Sequence, residues 1–160
     1  MSDVRLTRRY RFSAAHRLHS ELLSEEQNRD VYGKCNNPYG HGHDYVMDVT
    51  IRGEVDQMRG RLMSVDALDQ FVQAVVLKNF DRRNLNMEVS EFATLVPTTE
   101  LLAEVIARRL SEAWPVAFRG SGARFEKLRI RETRNNIFEV FAQEPVGPEN
   151  ECHEISESRS

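Results

Sequence analysis

The stretch HGHDYVMDVTIRGEV, residues 41–55, decides the architecture. From Tyr45 to Val55 it is rich in strand-forming residues, with Val49, Ile51, Gly53 and Val55 on one face. Upstream, Val4–Phe12 (VRLTRRYRF) alternates apolar and polar side chains in the same two-residue period. Downstream the period becomes helical. Leu68, Phe71, Val72, Val75 and Val76 recur at helical spacing within Asp66–Lys78, with Ser64 or Asp66 as N-cap. A second helix fits Thr98–Trp114, with Leu101, Leu102, Val105, Ile106, Leu110 and Ala113 on its buried face. Pro97 stands just ahead of it, and Pro115 is expected to end it. Phe125–Glu132 and Ile137–Ala142 read as two more strands, joined by a turn at Asn135-Asn136.

The order is therefore β-β-α-α-β-β, with a long loop from Leu18 to Tyr39 between the first two strands. A four-stranded antiparallel sheet with two helices on one face is an α+β layer. Such a sheet has two open edges, usually covered by pairing with another subunit, so an oligomeric β-barrel is expected.

A length of 160 residues suggests one domain, and 40% hydrophobic with 29% charged residues is ordinary globular composition. No apolar run approaches the ~18 residues of a membrane span. The opening MSDVRLTRRYRF lacks the apolar stretch of a secretory signal. Two cysteines, Cys35 and Cys152, make no disulfide framework, so a cytoplasmic setting is expected. The net charge of −3 is unevenly placed, because Glu144–Ser160 holds five acidic residues and one basic. The remaining body is close to neutral, with 20 acidic and 21 basic residues of the 25 and 22. Residues 144–160 are thus expected to be a mobile acidic tail on a single domain spanning 1–143. The basic residues of the body are scattered, with none of the stripe that nucleic-acid binding requires.

Four of the five histidines lie within the first 43 residues: His16, His19, His41 and His43. His41 and His43 are two apart at the mouth of the second strand, which puts both imidazoles on one face of an extended chain. Gly40 and Gly42 remove side-chain bulk there. His16 ends the neighbouring strand. Three neutral imidazoles with a vacant position are the pattern of a catalytic zinc site; His-x-His alone reads first as a loop with exposed histidines, and His16 on the neighbouring strand brings the two readings level. Cys35 stands six residues before His41 in GKCNNPYG, a polar, turn-rich stretch unsuited to burying an inert thiol. A metal and Lys34 nearby would favour its thiolate form, a base or nucleophile.

Five motifs occur in an order that resembles the 6-pyruvoyltetrahydropterin synthase family, whose relatives include the 6-carboxytetrahydropterin synthases of queuosine biosynthesis. They are FSAAHRL (Phe12–Leu18), GKCNNPYGHGHDY (Gly33–Tyr45), DRRNLN (Asp81–Asn86), PTTE (Pro97–Glu100) and RETRNNI (Arg131–Ile137), and the match spans about residues 4–143. The resemblance implies the tunnelling fold (T-fold), with trimeric barrels paired into a hexamer. It implies that His16, His41 and His43 bind Zn2+, that Cys35 abstracts protons assisted by Asp81, and that Glu132 anchors a pterin. Thr98, Thr99 and Glu100 would line that pocket, although capping the helix is an alternative task for either threonine. The implied reaction is a lyase step on 7,8-dihydroneopterin triphosphate, eliminating triphosphate to give 6-pyruvoyltetrahydropterin on the route to tetrahydrobiopterin.

The chain departs from the family at Arg82, where members usually carry a proton-relaying histidine after the aspartate. Arginine has no acceptor and stays protonated, so it cannot relay; it could stabilise a thiolate or hold the triphosphate instead. His19 is a possible substitute. The six-residue spacing from Cys35 to His41 resembles the pyruvoyl branch more than the queuosine branch. Two alternatives stay open: 6-carboxytetrahydropterin synthesis, and a pterin-binding homologue whose catalysis is weak or altered.

Overall fold

The alternating stretches fold into two long strands, β1 (Val4–His16) and β2 (His41–Gly53), in a computed structural model that describes residues 3–143. The expected tail, 144–160, lies outside the described residues. β1 and β2 pair antiparallel along their whole length, so that His16 stands opposite His41 and Ala14 opposite His43. Between them lies α1 (Glu25–Tyr32) and a 3-10 turn over Gly33–Asn36, where a loop was expected. Ser24 caps α1 through a reciprocal capping box with Gln27, which holds the helix although Asn28 is its one buried residue.

α2 (Val65–Val72) takes Ser64 as its N-cap and runs on through a π turn, Gln73–Leu77, into α3 (Lys78–Phe80). A two-residue strand, β3 (Arg83–Asn84), and a short helix, α4 (Leu85–Glu88), lead to α5 (Thr99–Ala117). Thr98 caps α5, its hydroxyl accepting from the Leu101 amide at 3.3 Å. Contrary to expectation, Pro115 lies inside this helix rather than ending it. It falls in the last turn, where one backbone bond is forgone, and Trp114 and Phe118 lock that turn by packing together on Phe71.

β4 (Arg124–Arg131) and β5 (Ile137–Phe141) complete a sheet of order β3-β1-β2-β4-β5. The expected four-stranded antiparallel sheet is present as β1, β2, β4 and β5, and β3 adds a parallel pairing with Ala14 and Ala15. Arg82 makes this possible by adopting φ 58, a left-handed turn uncommon outside glycine. Opposite Thr50 and Ile51, β4 carries one extra residue, Glu126, a bulge that bends β4. Met47, Val49, Ile51, Leu128 and Ile130 from the sheet meet Leu68, Val72, Val76, Leu102, Ile106 and Leu110 from the helices in one core. No helix among the described residues is long and apolar enough to cross a membrane.

Candidate metal centre

His16, His41 and His43 converge at the end of the β1–β2 ladder, with one ligand atom from each inside a 4.8 Å cluster. The Nε2 atoms of His16 and His41 are 3.1 Å apart. His16 is only 2% exposed, while the other two are half-buried, so the cluster opens on one side. The Nδ1 of His16 lies 2.7 Å from the Pro97 carbonyl. A carbonyl can only accept, so Nδ1 carries the proton and Nε2 turns its lone pair into the cluster. Burial lowers the His16 and His41 pKa values from 6.5, against the Pro97 bond for His16, and neighbouring imidazoles push the same way. Convergent imidazoles, one of them with its tautomer fixed by Pro97, are a donor set that suits zinc.

The approach to the centre is set by backbone geometry. Gly40 has φ 69, and a Cβ there would meet the His16 carbonyl oxygen at 2.8 Å. Gly42 is different, since a Cβ would make an ordinary 3.5 Å contact with the Ala14 oxygen. Only the first of the two glycines singled out by sequence is sterically required.

Cys35 is half-buried in the 3-10 turn, which docks on the residues following His16. Leu18 N–H donates to the Cys35 carbonyl at 2.9 Å, and Asn36 donates to the Leu18 carbonyl and to His19 Nδ1. The Asn86 side chain closes the backbone of Arg17 with two further bonds, 2.8 and 3.0 Å. A cavity of about 640 Å³ beside His16 is lined by His19, Tyr39, Asn86 and Phe92, among others.

Glu132, just beyond β4, reaches the other side of the cluster. Its Oε1 accepts from the Thr99 hydroxyl at 2.6 Å and lies 3.6 Å from His43 Nε2. Thr99 is buried, Thr98 is occupied in capping, and Glu100 is exposed in the first turn of α5. Of these residues, Thr99 and Glu132 are joined to the histidine cluster by the bonds just described.

Asp81 sits at the open edge of β1, where its Oδ1 accepts from the Ser13 amide at 2.9 Å. The Arg82 amide donates to the Ser13 carbonyl at 2.6 Å. Among the described residues no hydrogen bond or ion pair joins either residue to Cys35 within one chain. Arg82 and His43 line a common cavity of about 510 Å³. The Pro97 carbonyl, which fixes the His16 tautomer, leaves no sequence signal of its role. Tyr45 continues the two-residue interval of His41 and His43, and its ring lies 5.8 Å from that of His43.

The family model for 6-pyruvoyl tetrahydropterin synthase matches residues 5–143. The chain is 44% identical over 132 residues to the 6-pyruvoyl tetrahydrobiopterin synthase of Poecilia reticulata, covering 82% of this chain and 86% of that one. It is 41% identical over 135 residues to that of Homo sapiens, covering 84% and 89%. The solved structure of the Caenorhabditis elegans 6-pyruvoyl tetrahydropterin synthase superposes with a TM-score of 0.80 at 39% identity, covering 89% of this chain and 98% of that one. A Plasmodium vivax structure of that name superposes at 0.64 with 17% identity, a likeness of fold. The sheet order, the histidine cluster at the end of the β1–β2 ladder and these likenesses along nearly the whole described chain agree, and the chain belongs to the 6-pyruvoyl tetrahydropterin synthase family.

Proposed function

We propose that the protein is a zinc-dependent lyase that converts 7,8-dihydroneopterin triphosphate to 6-pyruvoyltetrahydropterin with loss of triphosphate. The observation that carries this reading is the convergence of three imidazoles, one with its tautomer fixed by Pro97, beside the Thr99–Glu132 pair. His16, His41 and His43 would hold the zinc, which supplies a Lewis acid for the side-chain oxygens of the substrate.

Glu132, already oriented by Thr99, accepts the two parallel N–H bonds of the 2-amino and N3 positions of the pterin. Thr98 and Glu100 border that pocket from the start of α5. Cys35 moves protons along the substrate side chain as base and then acid, with Asp81 assisting. The electrons balance within the substrate. Its two carbinol carbons become ketones, while the C6–N5 bond is reduced and the terminal carbon becomes a methyl as triphosphate leaves. No outside oxidant enters.

Arg82 cannot relay a proton. Its place on the cavity shared with His43 supports a hold on the triphosphate oxygens instead. The same observation supports a second reading, a pterin-binding homologue with slow or altered chemistry. A homo-oligomer, either a trimer or a hexamer of paired trimers, would cover the outer edge of β5, where Ile137 and Phe141 are 41% and 62% exposed. We place the enzyme in the cytoplasm, as one domain over residues 1–143 with an acidic tail.

Mass spectrometry of the products from zinc-loaded protein and 7,8-dihydroneopterin triphosphate tests the reading. 6-Pyruvoyltetrahydropterin with triphosphate is expected. 6-Carboxytetrahydropterin with acetaldehyde would assign the queuosine-type reaction, and pterin binding without turnover would leave only the binding role.

A further inference from the structure

The segment between β1 and β2 carries Cys35 and has little apolar footing on the domain. Within α1 and the Gly33–Asn36 turn the buried residues are Asn28 and Asn36, while Leu22 and Val31 nearby are exposed. Amide side chains take the place of an apolar core here. Asn28 accepts from the Ser20 amide at 2.8 Å and donates to the Ser20 carbonyl at 2.9 Å. Asn86 holds the backbone of Arg17 on the other side. Asn36, 6% exposed, joins the turn to the three residues that follow His16.

Four hydrogen bonds among the described residues cross between 17–19 and 35–36. The Leu18 amide donates to the Cys35 carbonyl at 2.9 Å, and Arg17 Nε donates to the Asn36 carbonyl at 3.1 Å. The Asn36 side-chain nitrogen lies 2.9 Å from the Leu18 carbonyl and 3.0 Å from His19 Nδ1. A carbonyl only accepts, which identifies that atom as the amide nitrogen and commits one of its hydrogens. An amide nitrogen cannot accept, so its second hydrogen goes to His19. Nδ1 is therefore the acceptor, and the neutral His19 ring carries its proton on Nε2. Both bonds are made by the residue next to Cys35, from a side chain shielded from water, where a hydrogen bond is stronger than at the surface.

We propose that Asn36, with His19 as its acceptor, is the positioning residue that sets Cys35 against the metal centre. The inference rests on the reading of Cys35 as the residue that moves protons. A base must stand within hydrogen-bond reach of the proton it takes, and a displacement of about 1 Å can cost a hundredfold in rate. His16 is fixed by the Pro97 carbonyl, and the residues directly after it carry the turn, so thiol and imidazole share one frame. His19 acts through its Nδ1 lone pair, as a support for Asn36, and not as a proton relay.

Hydrogen exchange and steady-state kinetics of zinc-loaded protein test this in wild type, Asn36→Ala, His19→Leu, His19→Asn and Cys35→Ala. Exchange at the Leu18 amide, which bonds the Cys35 carbonyl, should quicken at least about tenfold in Asn36→Ala and His19→Leu, with exchange along β1 and β2 unchanged. In both variants kcat on 7,8-dihydroneopterin triphosphate should fall at least about tenfold, with KM within about twofold and zinc content unchanged. The side-chain oxygen introduced by His19→Asn falls near the Nδ1 position, so that variant should recover both readouts to within about threefold of wild type. Unchanged exchange at Leu18, unchanged kcat in Asn36→Ala, faster exchange throughout the strands, or equal losses in His19→Leu and His19→Asn would each overturn the inference. An inactive Cys35→Ala beside a fully active Asn36→Ala would overturn it and leave the reading of Cys35 standing. Full turnover by Cys35→Ala, or none by wild type, would overturn both.

Discussion

His16 donates its Nδ1 proton to the carbonyl of Pro97, 2.7 Å away and 81 positions along the chain. One bond thus ties the end of β1 to the residue that precedes the α5 cap, and it selects the imidazole tautomer that the cluster needs. The centre is preorganised by the fold, with Pro97 as an outer support for the His16 ring.

That bond separates His16 from its two partners in stability. His16→Ala leaves the Pro97 carbonyl unpaired and empties a fully buried site, at an expected cost of about 2–3 kcal/mol in the metal-free protein. His41→Ala and His43→Ala remove half-exposed rings and should each cost less than about 1 kcal/mol. Urea denaturation of the three metal-free variants checks this, and equal losses would contradict a special role for His16.

Gly40 and Gly42 flank His41 alike in sequence, yet they should respond differently to alanine. At Gly40 the φ of 69 and the 2.8 Å approach to the His16 carbonyl both oppose a side chain. Gly40→Ala should therefore cost about 2 kcal/mol or more and weaken metal binding. Gly42→Ala meets only an ordinary contact and should fall within about 1 kcal/mol. Thermal melts of both variants, with and without zinc, decide the matter.

Arg82→His restores a side chain able to pass protons. Histidine is among the residues that tolerate a positive φ, so the substitution probes chemistry more than backbone strain. If the missing relay limits the rate, steady-state turnover should rise at least about tenfold. An unchanged rate would mean that proton relay at this position is not limiting.

The strands were legible because their side chains obey a two-residue period, and the same period puts His41 and His43 together. The pairing of His16 with His41 followed from the two strands being neighbours. α1 was not legible by periodicity, since EEQNRDVY has no apolar stripe; its signal was the box formed by Ser24 and Gln27. Pro115 misled because a proline forbids a helix interior but tolerates a final turn held by Trp114 and Phe118. The bonds from Pro97 to His16 and from Asp81 to Ser13 join distant parts of the chain, and no local pattern announces such contacts.

Glu91 supplies an acid-sensitive strap behind the site. Arg109 binds both of its oxygens, at 2.8 and 2.5 Å, and Arg108 adds a third contact at 3.2 Å. Arg109, which also lies over the Phe80 ring, above all holds the carboxyl down at about 2 from the usual 4.5. A depressed folded pKa stabilises the fold above the unfolded value, and that contribution is lost as pH falls through the folded one. With the pair partly screened by solvent and a glutamine keeping some of the hydrogen bonds, Glu91→Gln should cost about 1–2 kcal/mol at pH 7. The gap to wild type should narrow steadily from about pH 4.5 toward pH 2 in denaturation curves. A gap that does not depend on pH would contradict the ion pair as its cause.

Metal analysis by mass spectrometry of wild type and of His16→Ala, His41→Ala and His43→Ala tests the three-histidine centre most directly. The expected result is about one zinc per chain in wild type and loss of the metal in each variant. Full zinc stoichiometry in any one of the folded variants would contradict the ligand set.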